Sequence, residues 1–537
     1  MSIANYTDNG TVSLQSTENP LIDFFTMMTR YIPNDTLEKY MEKCWNIDPI
    51  KTIAIIFNCR DRINGKKEKN ISNRAMIWIR INKPLTYKGN ILKYVDKYGY
   101  WKDIMYINFN FDRTKINFLH NDYELHVIAN RLTEDRIKLE LGENISLCAK
   151  WAPSENDKYD KRRGSAKKIA KTIFPKEYDT LMKKYREEYI SPLRKELKLV
   201  ESKMCNNEWT DIKYENVPAV ASKRLKNSFM KHDPEGYSKF LHEVKIGKKS
   251  IKVNGILPHE LIKYYIDLST NYDINDEEYK ADETIEMQWK SIVDKVKLEG
   301  IFEGLLAIVD VSGSMYCSSS GSVPAQVAIA LGLLISECSS GLFSKKVITF
   351  SRTPRIHYIK GDTLFEKYNI IRSMESGMDT NFEAVADLII NYGLIYGIPQ
   401  NDMPQKLICL SDMQFNVASN VASNVASNYT DISTLHKHII KKYAIHNYIA
   451  PSFIYWNLNS NNDEIFPIKS TDADTAIISG FSEQLLKIFM KNDNFTPESI
   501  FDELISPYIN DVYVHEDEFI TIGNYKKITN ELQTICI

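Results

Sequence analysis

Between residues 304 and 458 four short runs, "GLLAIVDVS", "KKVITFS", "QKLICLSDM" and "PSFIYWNL", are apolar on nearly every residue rather than on alternate ones. A strand that is apolar on both sides must be covered on both sides. Helical stretches such as "PAQVAIALGLLISECSSG" and "NFEAVADLIINYGLIYG" separate these runs. Strands alternating with helices build a parallel sheet with helices on both faces. The pattern therefore predicts a doubly wound, mostly parallel, Rossmann-like α/β domain over residues 300–537, with an acidic C-terminal extension. In such sheets ligands bind beyond the carboxyl ends of the strands. Asp310 and Asp412 each close an apolar run, so both are expected at that one edge.

Residues 19–299 follow a different period. "NPLIDFFTMMTRYI", "DTLEKYMEKCWNI", "DPIKTIAIIFNCRDRING", "NRAMIWIRIN", "YREEYISPLRKELKLVESKM" and "PAVASKRLKNSFMKHD" place apolar residues three and four apart, as amphipathic helices do. Helices in series joined by short polar turns predict an irregular, HEAT-like α-helical array, with no fixed sequence repeat. The overall fold class is thus α followed by α/β. Residues 1–18 are polar and are expected to form a disordered tail.

The chain has 537 residues, 43% of them hydrophobic and 26% charged, the composition of a globular protein. No apolar run approaches the ~18 residues that cross a bilayer, and the N-terminus lacks the plan of a signal peptide. No membrane partner is expected, and an intracellular site is. The eight cysteines are scattered without a close Cys-x-x-Cys pair, consistent with thiols in a reducing compartment. The net charge of −2 conceals an asymmetry: residues 151–260 sum to +9 and residues 451–537 to −9. The basic middle either attracts a polyanion or consists of solvated helix faces.

At the end of the first apolar run, Asp310, Ser312 and Ser314 present three oxygen side chains spaced two apart, with Gly313 allowing the turn. "SGMDTNF" adds Thr380 and "LSDMQF" adds Asp412. Carboxylates and hydroxyls are the ligands a hard divalent cation takes, so these five residues are the expected metal set. They resemble the metal-ion-dependent adhesion site of a von Willebrand factor A domain. That resemblance implies Mg²⁺ or Mn²⁺ held by the hydroxyls of Ser312, Ser314 and Thr380, with Asp310 and Asp412 bound directly or through water. A partner's carboxylate often completes the shell in that family. Asp379 either orients a water from outside the ligand set or serves as a turn residue.

A nucleophilic serine is not expected here: "DVSGSM" lacks the glycine before serine of a nucleophile elbow. His357 sits in a context without base character. His436 and His438 form either a metal pair or, by the simpler account, a solvated helix face.

The strings "STENPLIDFF", "GYWKDIMYI", "CAKWAPSENDKYDKRRGSAKKIAKTIFP", "SPLRKEL", "KRLKNSFMKHD", "ILPHELI", "CLSDMQF", "IYWNLN" and "AIISGFSEQLLKIF" resemble the domain of unknown function 2828 family, from about Ser16 to about Met490. That family occurs in plants, fungi and large DNA viruses. Its two-part plan is also similar to the Ro ribonucleoproteins, whose helical ring binds small and misfolded RNAs. The corresponding RNA-contacting set here is Trp151, Tyr159, Lys161, Arg162, Arg163, Lys167, Lys168, Lys223 and Arg224, which interleaves stacking planes with phosphate partners. Against it stands the account in which Trp151 is a core residue and the lysines serve solubility.

Two functions follow as expectations. The first is a non-enzymatic scaffold that recruits an acidic protein partner through the Mg²⁺ site. The alternative is a Ro-like RNA-binding protein, taking structured or misfolded RNA, in which the A-type domain regulates the array. A single ion held largely by hydroxyls, without a second ion or a water-activating base, argues against a nuclease or phosphatase. Abundant Ile, Lys, Asn and Tyr suit an AT-rich genome and, among the hosts above, a large DNA virus; the expected location is cytoplasmic, in the host cell or the virion. The repeat "NVASNVASNVASN", residues 416–428, is expected to extend a surface loop.

Overall fold

The computed structural model describes residues 4–6, 12–30, 32–110, 122–271, 279–300, 302–312, 315–316, 323–349, 354–374, 382–413, 432–458, 466–491 and 495–519. From residue 20 to residue 299 most of the described residues are helical. The longer helices are α1 (Pro20–Met27), α2 (Asn34–Ile47), α3 (Pro49–Arg60), α4 (Lys69–Asn82), α5 (Pro84–Lys93), α6 (Trp101–Asn110), α7 (Tyr123–Glu140), α8 (Ser165–Ile173), α9 (Ala219–His232), α10 (Pro234–Lys245), α11 (Pro258–Asn271) and α12 (Glu283–Glu299). Three of them start on an Asn-Pro or Asp-Pro pair. Asn19, Asp48 and Asp233 accept the free backbone N–H of Leu21, Lys51 and Gly236, while the proline opens the helix without needing a partner for its nitrogen. Helix α3 is buried from Thr52 through Arg60 and forms the centre of the array. Residues 212–251 carry a smaller core of their own around Tyr214, Phe229, Tyr237 and Phe240.

The second part is the predicted α/β layer. Its strands are β3 (Leu305–Val309), β4 (Lys346–Thr349), β5 (Arg355–Tyr358), β6 (Lys406–Ser411), β7 (Ser452–Asn457) and β8 (Thr475–Ser479), following a short hairpin of β1 (Ala4–Tyr6) and β2 (Val12–Leu14). The sheet order is β5-β4-β3-β6-β7-β8, parallel throughout except for β5, which runs antiparallel to β4. Every residue of β3, β6, β7 and β8 is buried. Helix α13 (Val323–Cys338) covers the face that carries Val309, Leu410 and Trp456. Its Gly332 lies so close that a Cβ there would stand 2.4 Å from Val309 Cγ2. The opposite face carries Phe453 and Tyr455, which meet Phe382 at the start of α15 (Phe382–Tyr396), while Phe453 also meets His436 of α16 (Ile432–Ile445). Helix α14 (Leu364–Arg372) precedes them and packs against α11.

Two terminal segments make contacts that their composition does not announce. Residues 12–18 are not a disordered tail. Leu14 exchanges backbone hydrogen bonds with Phe466 at 3.0 Å, Ser470 N–H donates to Thr17 O at 2.8 Å, and the buried Asp23 accepts from Ser16 and Thr17. A polar segment orders here because its donors find a buried carboxylate. The acidic C-terminal extension, in turn, packs on the helical array. Helix α17 (Pro497–Ile509) lies against α3, with Asn58 donating to Leu504 O and Tyr508 to Asp61. Beyond it, Lys97 and Tyr98 bond Asp511, and Glu518 accepts the Leu85 and Thr86 N–H groups at the start of α5, a favourable place for an anion.

Candidate metal centre at the sheet edge

The strand order reverses between β3 and β6: β4 and β5 follow β3 on one side, and β7 and β8 follow β6 on the other. That switch point opens a crevice beyond the carboxyl ends of the two strands. Because Val309 pairs with Leu410, Asp310 leaves the sheet beside Ser411, and Asp412 follows. The sequence thus brings Asp310 and Asp412 to one edge on adjacent strands.

Asp310 is 0% exposed, Ser312 5% and Asp412 6%. The Asp310 carboxylate is oriented by Ser312 N–H at 2.9 Å to Oδ1, by Ser411 Oγ at 2.7 Å to Oδ2 and by the Ser312 hydroxyl. Its own N–H donates to Leu410 O, and Met315 N–H closes a turn onto Ser312 O. Burial pushes the Asp310 carboxyl above its ordinary range, opposed by hydrogen bonds from Ser312 and Ser411. Both carboxylates act on the thiol of Cys409, which burial first and then Asp310 and Asp412 push upward. No lysine or arginine among the described residues pairs with Asp310.

The donor set suits a hard cation. A carboxylate has about four lone-pair sites, so one with three neutral donors can still accept a metal or a metal-bound water, and hydroxyls complete an oxygen shell. Among the described residues no group of three His, Cys, Asp or Glu side chains gathers, at this edge or elsewhere. Ser314, Thr380 and Asp379 lie outside the described residues, as does the Asn416–Asn428 repeat. Sequence reasoning missed Ser411, which fixes the Asp310 carboxylate. Its signal was a hydroxyl just before Asp412 on the neighbouring strand.

The histidines do not form a pair. His436 is buried against Phe453, and burial takes its pKa down to about 4; His438 turns outward to Glu383 at 3.1 Å. Neither the metal pair nor a solvated face describes His436, because only one of the two side chains can follow the sheet-facing side of the helix.

Most of the expected RNA-contacting residues are engaged within the chain. Tyr159 packs edge-on against Phe109, and Arg163 donates to Asn108 O at 2.5 Å while lying over Phe109. Lys168 pairs with Asp122 at 2.8 Å, Lys223 donates to Glu260 O, and Arg224 reaches Glu201 at 4.0 Å. Trp151 is half-buried between Lys102 and Lys150. Lys161 and Lys167 are exposed, and the Arg162 side chain lies outside what is described.

Two family models match the chain. The domain of unknown function DUF2828 matches residues 7–115 and 110–302, and the domain of unknown function DUF7788 matches residues 304–527. The chain belongs to the DUF2828 family. The strings from Cys409 onward fall under the second model, not the first. The chain is also 30% identical over 547 residues to "Uncharacterized protein L728" of Acanthamoeba polyphaga mimivirus, spanning 96% of this chain and 90% of the relative. No helix among the described residues is long and apolar enough to cross a membrane.

Proposed function

We propose that the protein is a non-enzymatic scaffold that binds an acidic partner through a divalent ion at the β3/β6 edge, in the manner of a von Willebrand factor A domain. The observation that supports this is Asp310, a fully buried carboxylate held by two hydroxyls and an amide with no Lys or Arg paired to it among the described residues. Such a group is costly until a positive charge joins it. Asp310, Ser312, Ser314, Thr380 and Asp412 would hold Mg²⁺ or Mn²⁺. The bound ion supplies an electrostatic anchor for a partner carboxylate in a cleft that screens poorly. Ser411 and the Ser312 amide position the Asp310 carboxylate for it. The viral relative fits a chain that works in the host cytoplasm or the virion.

The Ro-like alternative, in which the array grips RNA, rests on Lys161 and Lys167, since most of the other basic and aromatic residues of that set serve internal contacts. The metal site is therefore the preferred reading. Calorimetric titration of Mg²⁺ into the full chain tests it. Saturable binding by the wild type and its loss in Asp310→Ala, with the fold intact by circular dichroism, is the expected result. An Asp310→Ala chain that keeps wild-type Mg²⁺ affinity overturns the assignment.

A further inference from the structure

The segment "CRDRINGKKEKN", residues 59–70, ends α3, turns and enters α4. The turn is tight: a Cβ at Gly65 would fall 2.0 Å from Asn58 O. A pocket of about 300 Å³ opens beside it, walled also by Tyr100 and the residues leading into α11. Five cations line this pocket against two carboxylates, Glu68 and Glu260.

Three of the five cations are neutralised in place. Arg30 pairs with Glu68 at 2.8 Å, Arg60 with Asp103 at 2.6 Å and Lys67 with Glu483 at 2.7 Å. Arg62 and Lys69 have no ionic partner among the described residues. The Arg62 guanidinium lies 4.6 Å over the Tyr100 ring, and its Nε is buried without a hydrogen-bond acceptor among the described residues. An orphaned charged donor is expensive unless something arrives to accept from it. Lys69 is half-buried, and burial, with repulsion from Lys102 and Arg60, pulls its ammonium below the usual lysine range against the attraction of Asp103. An arriving anion relieves both residues at once. Lys69 is also the first residue of the 14-residue helix α4, whose N-cap, Glu68, gives the first turn no side-chain acceptor. The free N–H groups of that turn and the helix dipole favour the same sign of charge.

We infer that this pocket binds a phosphate group through Arg62, Lys69 and the first-turn amides of α4. Phosphate suits the site better than carboxylate, because it offers three oxygens to a guanidinium fork, an ammonium and backbone donors together. The volume suits one or two phosphates at the end of a ligand rather than a whole large ligand. The site is separate from the β3/β6 edge and does not depend on the metal.

The test is calorimetric titration of inorganic pyrophosphate into the full chain in EDTA. The wild type should bind saturably, and Arg62→Gln/Lys69→Gln should bind at least about tenfold more weakly with an unchanged unfolding midpoint. Lys69→Gln alone, at a half-exposed position, gives the same direction of change should the double variant fold poorly. Lys161→Gln/Lys167→Gln, on the exposed basic stretch, should bind as the wild type does. Competition by a 5′-phosphorylated oligonucleotide, but not by its 5′-hydroxyl form, assigns the phosphate to the end of a nucleic acid; no competition by either assigns it to a small phosphate ester. No saturable binding by the wild type, unchanged binding in the double variant, or an equal loss in Lys161→Gln/Lys167→Gln overturns the inference.

Discussion

In the helical array Arg60 and Asp103 face each other with side chains 3% and 0% exposed, and Arg80 and Glu124 repeat those values. At the sheet edge Asp310 is just as deeply buried, yet its partners are two serine hydroxyls and an amide. Both arrangements give the carboxylate hydrogen-bond donors, but only the first balances charge. A balanced buried pair is complete and has no use for a ligand; removing one member exposes the cost of the other. An unbalanced buried carboxylate is already carrying that cost, and a cation reduces it. The difference separates a structural ion pair from a binding site more sharply than burial does.

The largest expected effect comes from breaking a balanced pair. Glu124 accepts two bonds from Arg80, one from Tyr87 Oη at 2.7 Å and one from Asn108 at 3.2 Å. Glu124→Gln turns an NH₂ toward donors and leaves the Arg80 charge buried without its partner. It should lower the unfolding free energy by about 3–5 kcal/mol, read from urea denaturation at pH 7. A loss below about 1 kcal/mol would mean that these pairs are not what distinguishes the array from the sheet edge.

Lys66 is the exception inside the helical half, and it sharpens the comparison. It is 0% exposed, with no ion pair among the described residues; its Nζ donates to Phe25 O and to Ser479 Oγ at 2.7 Å and lies 3.8 Å over the Phe25 ring. Burial takes its pKa down to about 7. Between that value and the ordinary lysine value, the unfolded chain holds a proton that the folded chain does not. Stability contributed by this group therefore rises with pH across the window and is lowest below pH 7. The slope is up to about 1.4 kcal/mol per pH unit. Subtracting the Lys66→Met curve from the wild-type curve between pH 7 and 9 should isolate it. A flat difference would show that Lys66 keeps its proton and that neutral partners suffice to bury a cation here.

How much of this could be read from the chain depends on the distance over which the cause acts. The wholly apolar runs announced a sheet covered on both faces, and carboxylates closing two of them put Asp310 and Asp412 on one edge, because strand direction and register are nearly local properties. Ser411 was hidden, since its role depends on β6 lying beside β3. The return of the acidic segment was hidden for the same reason: Glu518 caps the start of α5 from 432 residues away at Thr86, and no local pattern encodes such a partner. The acidic segment meets lysines of the array outside the basic stretch, with Asp502 on Lys51 and Asp511 on Lys93 and Lys97. Lys66 and Lys67 carry the contact between the array and β8 and the residues after it, which likewise depends on distant partners.

The smallest expected effect falls on the sheet edge itself, and its sign is the informative part. Asp310→Asn makes the same chemical change as Glu124→Gln, carboxylate to amide, at equal burial. An asparagine there still accepts from Ser312 N–H, and its NH₂ can donate to the Ser411 hydroxyl, so the hydrogen bonds survive. In EDTA the variant should match the wild type to within about 1 kcal/mol and be the more stable of the two at neutral pH. The pH dependence follows from the raised Asp310 pKa. Above the unfolded carboxylate value the folded wild type retains a proton that the unfolded chain has lost, so wild-type stability falls as pH rises through the folded value, and the penalty stays constant beyond it. Asp310→Asn lacks that fall. With Mg²⁺ present the order should reverse, because the ion stabilises only the wild type by binding the folded state. Thermal unfolding of both chains with EDTA and with Mg²⁺ checks this; a variant less stable than the wild type in EDTA by as much as Glu124→Gln would mean that an undetected cation already balances Asp310.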